Sequence, residues 1–293
     1  SVTPDGARGP WGAMVMGLLG RSGYGTHVMH VHVLQYDIVW EDKAASQARM
    51  ESLLERRPPA PGSLLLTPEM GDVGFSFNLD RIVDERSLEW AMGIARQYDC
   101  FVQHGYAELA PDGRGLNTAS IVDPSGSVLG QYRKVHPFSY GGEIKHYAPG
   151  DRLQLIELGG LQCCPMICYD LRFPELWRLA RRAGDDVFTI GASWPAARSE
   201  HWRALLIARA IENQAYVVAC NRTGSDPHLD YAGGSMIISP RGEILAEAGT
   251  ESMVIQAELD PEAIRSWRDT MRCQDDVNDR FLGAIDIDHG PRA

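Results

Sequence analysis

The chain has 293 residues, 44% hydrophobic and 23% charged, which is enough for a large core in one big domain or two smaller ones. Its formal charge is −11 with a pI near 5.3, and no Lys/Arg cluster builds a basic face, which argues against a nucleic-acid partner. No apolar run approaches the roughly 18–20 residues of a membrane span, and six scattered cysteines without a secreted framework point to a reducing, cytoplasmic setting.

Residues 1–28 are rich in Gly, Arg, Ser and Pro. Their apolar run, 14–19, is short for a signal-peptide core, and the segment reads as a poorly ordered leader or appended extension. The fold is predicted to begin at Met29, as a single domain over 29–280 followed by a tail, 281–293. Strand 30–35 leads through a polar turn to a helix at 43–56, ended by Pro58, Pro59 and Pro61. A short strand at 63–67 puts Glu69 just past its end, and the Gly- and Phe-containing loop 71–78 follows. Helix 85–98 and strand 100–106 come next, then a hairpin of strands 117–123 and 127–132 around Pro124-Ser125-Gly126. Lys134 follows that hairpin directly, and the loop 141–150 carries Glu143.

The central stretch is 161–195. Strand 161–167 gives way to a helix with Pro174 in its first turn, and strand 187–190 ends in the loop 191–195. Cys168 stands where strand becomes helix, a place whose free N–H groups and positive dipole favour a thiolate and a developing oxyanion. A lone cysteine is more often a small buried hydrophobe, and Cys163 and Cys164, inside the strand, read that way on opposite faces. These three lack the C-x-x-C spacing of a zinc site, so no metal is expected. Arg178, Arg181 and Arg182 read as an ordinary solvated face, and Arg172, Glu175, Arg209 and Glu212 as buried or interface ion pairs. Helix 200–215 and strand 216–220 precede a second hairpin, 234–239 with 243–246, around Pro240-Arg241-Gly242. It echoes the first and suggests two pseudo-equivalent halves. A last strand at 253–258, a short helix at 261–268 and an acidic arm after Cys273 complete the chain. Alternating strands and helices with inserted hairpins give an α/β class with mixed sheets. Periodicity does not separate a two-sheet sandwich from a single doubly wound sheet.

The segment Cys168-Tyr169-Asp170-Leu171-Arg172-Phe173-Pro174-Glu175 resembles the nucleophile segment of the nitrilase superfamily, the carbon–nitrogen hydrolases. Thr67-Pro68-Glu69-Met70 resembles that family's glutamate motif, and Tyr132-Arg133-Lys134-Val135-His136-Pro137-Phe138 its lysine motif, in the right order. The resemblance implies a four-layer αββα sandwich of two mixed sheets, a Glu69–Lys134–Cys168 triad, and Glu143 as a second glutamate that holds Lys134 or orients substrate. It implies no cofactor and at least a homodimer, which the apolar helix 201–215 also favours. In such a site Cys168 attacks to form a thioester, Glu69 serves as general base and acid, and Lys134 with the Tyr169 backbone N–H stabilises the oxyanion.

Three features resemble the omega-amidase branch: Tyr169-Asp170, where nitrilases usually carry Trp-Glu, the run 193–202 and the run 208–216. They imply a short dicarboxylic acid monoamide as substrate, 2-oxoglutaramate or succinamate in type, cleaved with water to ammonia and the dicarboxylate. Phe75, Phe138 and Trp194 are expected to wall a small pocket. Arg172, then Arg198, are candidates to meet the substrate's carboxylate, because a buried unpaired anion is costly. A nitrilase, an N-carbamoyl amidohydrolase and a non-enzymatic scaffold on the same fold are the alternatives.

Overall fold

The computed structural model describes residues 28–291. The reading of 1–28 as a leader falls almost wholly outside those residues. The elements run β1 (Met29–Gln35), α1 (Lys43–Arg56), β2 (Leu64–Leu66), α2 (Leu79–Ile82), α3 (Arg86–Tyr98), β3 (Phe101–Leu109), β4 (Gly115–Val122) and β5 (Val128–Arg133). Then come β6 (Arg152–Leu158), β7 (Leu161–Ile167), α4 (Pro174–Arg182), β8 (Val187–Ala192), α5 (Ser199–Asn213), β9 (Tyr216–Asn221), β10 (Thr223–Ser225) and β11 (Asp230–Ala232). The chain closes with β12 (Met236–Ile238), β13 (Ile244–Glu247), β14 (Met253–Leu259), α6 (Pro261–Thr270) and β15 (Asp286–His289).

Local chemistry accounts for several boundaries. Asp42 caps α1 by accepting from the Ala45 N–H at 3.0 Å. The β4–β5 hairpin turns where Asp123 Oδ1 accepts from the Ser127 N–H at 2.8 Å and Gly126 takes a left-handed φ of 85°. β2 is three consecutive leucines, as suits a strand paired in parallel on both sides, here with β1 and β3, and covered on both faces.

Two mixed sheets result. The first has strand order β14-β1-β2-β3-β4-β5 and the second β13-β12-β9-β8-β7-β6-β15. The expected hairpins lie at one edge of each, β4–β5 and β12–β13, so the echo in the sequence is a real correspondence between halves. Between the sheets lies a core that includes Val31, Val33, Leu66, Ile121, Cys163, Val187 and Val218. Outside the first sheet, α1 and α3 bury Met50, Leu54, Ala91 and Ile94. Outside the second, α4 and α5 bury Trp177, Trp202, Leu206 and Ala210 against Cys164, Phe188 and Ile190. This is the αββα sandwich. Cys163 and Cys164 face opposite layers, as strand alternation requires.

Three expectations are corrected. Residues 286–289, within the expected tail, pair in parallel with β6 as an edge strand. Alternating acidic residues hide the strand in the sequence, although Ile285 and Ile287 pack on the core. Arg178 and Arg182 are no free solvated face. Arg178 donates to Glu212 O at 2.7 Å and to Gln274, and Arg182 pairs with Asp279 at 2.6 Å, so these side chains fasten the C-terminal segment. Of the four helix charges read as ion pairs, Arg209 and Glu212 do pair, at 2.9 Å, whereas Arg172 and Glu175 make no ion pair among the described residues.

Candidate active site

Both sheets end at the same place. From the first, Thr67-Pro68-Glu69 leaves β2 and passes between the layers. Two glycines make room for it. A Cβ on Gly105 of β3 would lie 2.7 Å from Pro68 O, and one on Gly191 of β8 would lie 2.8 Å from Thr67 O. Any side chain there would displace the backbone that carries Glu69. Lys134 follows β5, and Glu143 lies in a short 3-10 turn beyond it. The second sheet brings Cys168 from the end of β7 and Ser193 from the end of β8.

Glu69, Lys134 and Glu143 are all buried and bonded to one another. Lys134 Nζ donates to Glu69 Oε1 at 2.7 Å and to Glu143 Oε2 at 2.9 Å. The Phe138 N–H donates to Glu143 Oε2 as well. The Ser193 N–H reaches across from the other sheet to Glu69 Oε2 at 3.0 Å. Burial alone would push the Lys134 ammonium down, but Glu143 and Glu69 outweigh it and hold the ammonium well above its ordinary value. Burial pushes the Glu143 carboxyl up, against the pull of Lys134. Breaking such a buried pair costs about 3–5 kcal/mol, because it strands a charge.

Cys168 opens a five-residue 3-10 turn, Cys168–Arg172, and α4 begins only at Pro174. The expectation that β7 passes directly into an α-helix at Cys168 is therefore corrected. Burial raises the thiol well above its ordinary value, the nearby Glu69 charge adds to this, and Lys134 opposes it. Burial and the Glu69 charge both favour the protonated thiol over the thiolate. Cys168 has φ 42°, the left-handed region, at a cost of about 1–3 kcal/mol for a non-glycine residue. The surrounding packing over-determines it. Asp170 is central to that packing. Its Oδ2 accepts from Tyr132 OH at 2.8 Å and the Ile167 N–H at 3.2 Å, and its Oδ1 from the His136 N–H at 3.0 Å and the His136 ring at 2.9 Å. One carboxylate thus bolts the lysine segment to the cysteine turn. Arg209 donates to Leu171 O at 2.7 Å from behind.

A cleft with about 30 Å³ of free space opens onto Cys168 and is lined by Glu69, Phe75, Lys134, Phe138, Cys168, Tyr169, Arg172, Trp194, Pro195 and Arg198. It holds every sequence-predicted site residue except Glu143, which stands behind Lys134. Arg172 stacks over Trp194 at 4.7 Å and Arg198 over Phe138 at 5.6 Å, so both guanidinium groups sit on the aromatic walls. Three contributors went unseen in the sequence. Asn117 bonds both glutamates, the Ser193 backbone reaches Glu69, and Asn221 clamps Trp194 through its N–H at 2.8 Å and its carbonyl at 3.1 Å. Asn117 and Asn221 look like ordinary strand and turn residues, and a backbone amide has no sequence signature. The described residues contain no His/Cys/Asp/Glu group suited to a metal, and none of their helices is long and apolar enough to cross a membrane.

A buried thiol held against a carboxylate, with an ammonium alongside, is equipped for nucleophilic attack, proton transfer and oxyanion stabilisation. On an αββα sandwich these features define a hydrolase with a cysteine at its centre. The sequence matches the carbon–nitrogen hydrolase family over residues 30–269, and the chain belongs to that family. It is 36% identical over 251 residues to a 2-oxoglutaramate amidase of Bacillus subtilis, covering 84% of this chain and 96% of that protein. It is 35% identical over 256 residues to the omega-amidase YafV of Escherichia coli, covering 86% and 97%. Among solved structures, XC1258 of Xanthomonas campestris, a CN-hydrolase superfamily protein with an arsenic adduct in its active site, superposes with a TM-score of 0.82 at 30% identity, covering 88% of this chain and all of that one.

Proposed function

We propose that the protein is an omega-amidase that hydrolyses the terminal amide of a short dicarboxylic acid monoamide, of the 2-oxoglutaramate or succinamate type. The observation that carries this reading is the fully bonded Glu69–Lys134–Glu143 cluster against the Cys168 thiol. Glu69 takes the thiol proton as sulfur attacks the amide carbon. Lys134 and the Tyr169 N–H hold the oxyanion. The tetrahedral intermediate collapses to a thioester, and ammonia leaves with the proton from Glu69. A water deprotonated by Glu69 then attacks the thioester, the carboxylate departs, and the thiol regains its proton. Glu143 keeps Lys134 charged and aimed.

The cleft supports the substrate class. Its free space is about 30 Å³, room for roughly two waters, so the amide head fits beside the thiol and the acyl chain displaces side chains at the mouth. Those side chains include Arg172 and Arg198, the groups we assign to the substrate's distal carboxylate, Arg172 first. Two relatives named for omega-amidase and 2-oxoglutaramate amidase activity support the same class. Tyr169-Asp170 after the cysteine favours an amide over a nitrile. We further assign the protein to the cytoplasm, as a single domain that includes the edge strand β15 and forms a homodimer or larger homo-oligomer. The half-exposed Ile211 on α5 supports that assembly.

The test compares kcat/KM, by ammonia release, on succinamate, 2-oxoglutaramate, an N-carbamoyl amino acid, a neutral aliphatic amide and an aliphatic nitrile. The dicarboxylate monoamides are expected to lead, and Arg172→Met is expected to erode that lead by raising KM about tenfold, roughly 1.4 kcal/mol. A preference of more than about tenfold for the nitrile or the carbamoyl compound overturns the reading.

A further inference from the structure

Asn117 lies on β4, 2% exposed, between two carboxylates. Its Nδ2 donates to Glu69 Oε1 at 2.8 Å and to Glu143 Oε1 at 2.9 Å. Lys134 spans the same two carboxylates, and the Lys134 N–H donates to Asn117 O at 2.9 Å. The glutamates are therefore bridged twice, once by a cation and once by a neutral amide. Asn117 Oδ1 has no hydrogen-bond partner among the described residues. Its orientation is nonetheless forced. A flipped amide would turn the oxygen lone pairs onto two carboxylates and strand the NH2 group.

The two oxygens of Glu69 are left unequal. Among the described residues, Oε1 receives Lys134 and Asn117, whereas Oε2 receives the Ser193 N–H alone. A carboxylate oxygen offers two lone pairs, so Oε1 is filled and Oε2 keeps one. From this we infer that Asn117 is a positioning residue that fixes the Glu69 carboxylate and reserves Oε2 for the proton exchanged with Cys168. The step is a plain transfer. The S–H bond breaks, an O–H bond forms at Oε2, and the electron pair stays on sulfur for attack. The inference deepens the amidase reading and rests on its assignment of Glu69 as base.

The groups facing Glu69 are Lys134 after β5, Glu143 from its 3-10 turn, Cys168 from the nucleophile turn, and at longer range Tyr147 and Tyr231. A donor to an anion favours the ionised form, so its loss makes the anion easier to protonate. The acid limb then belongs to the Glu69–Glu143 pair as a unit.

The experiment uses Asn117→Asp and Asn117→Ala in the full chain. It records ammonia release and the rate of Cys168 alkylation by iodoacetamide, both against pH. At neutral pH kcat is expected to fall about 10- to 100-fold, the range of a general-base contribution partly lost, with KM within about twofold. The acid limb of both profiles is expected to move up by about half a pH unit or more, further in the Asp variant, which adds a negative charge. A merely structural residue would lower the amplitude and leave the limb in place, so an unmoved limb or a loss confined to KM overturns the inference. Asn117→Ser, which keeps one donor and adds no charge, carries the test if either variant fails to fold. If the wild-type protein releases no ammonia from the amide panel, the amidase reading falls, while the alkylation limb still decides the role of Asn117.

Discussion

The two sheets treat their buried titratable groups in opposite ways. The first delivers Glu69, Asn117, Lys134 and Glu143, which are charged or strongly polar and bonded to one another across less than 3 Å. The second buries Cys163, Cys164, Cys220 and Asp185, all pushed well above their ordinary values by burial, which favours their neutral forms. No well-formed hydrogen bond from the described protein groups reaches either oxygen of Asp185. Cys168 comes from the second sheet and is raised by burial in the same direction. It differs from its sister thiols because it leaves the strand and meets the charges of the first. Under the proposed mechanism activation is therefore an interfacial property, since each sheet supplies only part of the site. The lesson is that burial by itself silences a cysteine, and that a partner base across the interface releases it.

The sharpest way to break the contrast is to remove the cation. Lys134→Met takes away the proposed oxyanion donor and leaves two buried carboxylates without their counterion. We expect kcat/KM to fall by at least about 10³-fold, the scale of a lost oxyanion donor. Urea unfolding should register a loss of about 3–5 kcal/mol, as for a broken buried pair. A variant of near wild-type stability would mean that the cluster is not held by charge.

A smaller effect should follow from loosening the joint between the sheets. Asp170→Asn keeps the size and one acceptor oxygen but sets an NH2 group against donors from Tyr132, His136 or Ile167. Losing a charge-accepting partner of this kind costs about 1–3 kcal/mol. The turnover rate should drop about tenfold while KM for the amide stays put, because geometry rather than binding is disturbed. An unchanged kcat would show that the bolt is dispensable.

The smallest effect tests the silent side. Asp185 has its folded-state proton affinity raised by burial first and by Asp186 second. A carboxyl raised on folding binds its proton more tightly in the native state. It therefore lowers stability progressively as pH rises above the unfolded-state value of about 4. Asp185→Asn removes that loss. Its unfolding free energy in urea should track the wild type below about pH 4 and exceed it increasingly toward neutrality, by on the order of 1 kcal/mol. A variant less stable at pH 7 would show that the carboxylate is ionised and partnered after all.

How much of this was legible in the sequence follows from what is local. Cys168 and Lys134 follow a strand directly and Glu69 lies just past one, so apolar runs and turn residues locate them, and their motif order joins them. The hairpins were legible through Pro-x-Gly turns. The sandwich itself came from the resemblance, because strand periodicity is the same in one sheet or two. Asn117 was not legible: its partners lie 48 and 26 residues away, and an Asn inside a polar strand carries no signal of its own. Ser193 acts through its backbone N–H and Gly105 through the absence of a side chain, both invisible until the layers are stacked. Arg178 and Arg182 misled because a charged helix face looks solvated until the C-terminal segment is seen lying on it.

The central claim is that one thiol, Cys168, carries the chemistry under charges from the opposite sheet. Its most direct measurement is ammonia release by Cys168→Ala on the best monoamide, beside a circular dichroism spectrum that confirms the native fold. The account predicts loss of turnover to below about 10⁻³ of wild type, the scale expected when the nucleophile itself is removed. Turnover within about tenfold of wild type from a folded Cys168→Ala protein, a difference of roughly 1.4 kcal/mol or less in the barrier, would contradict it.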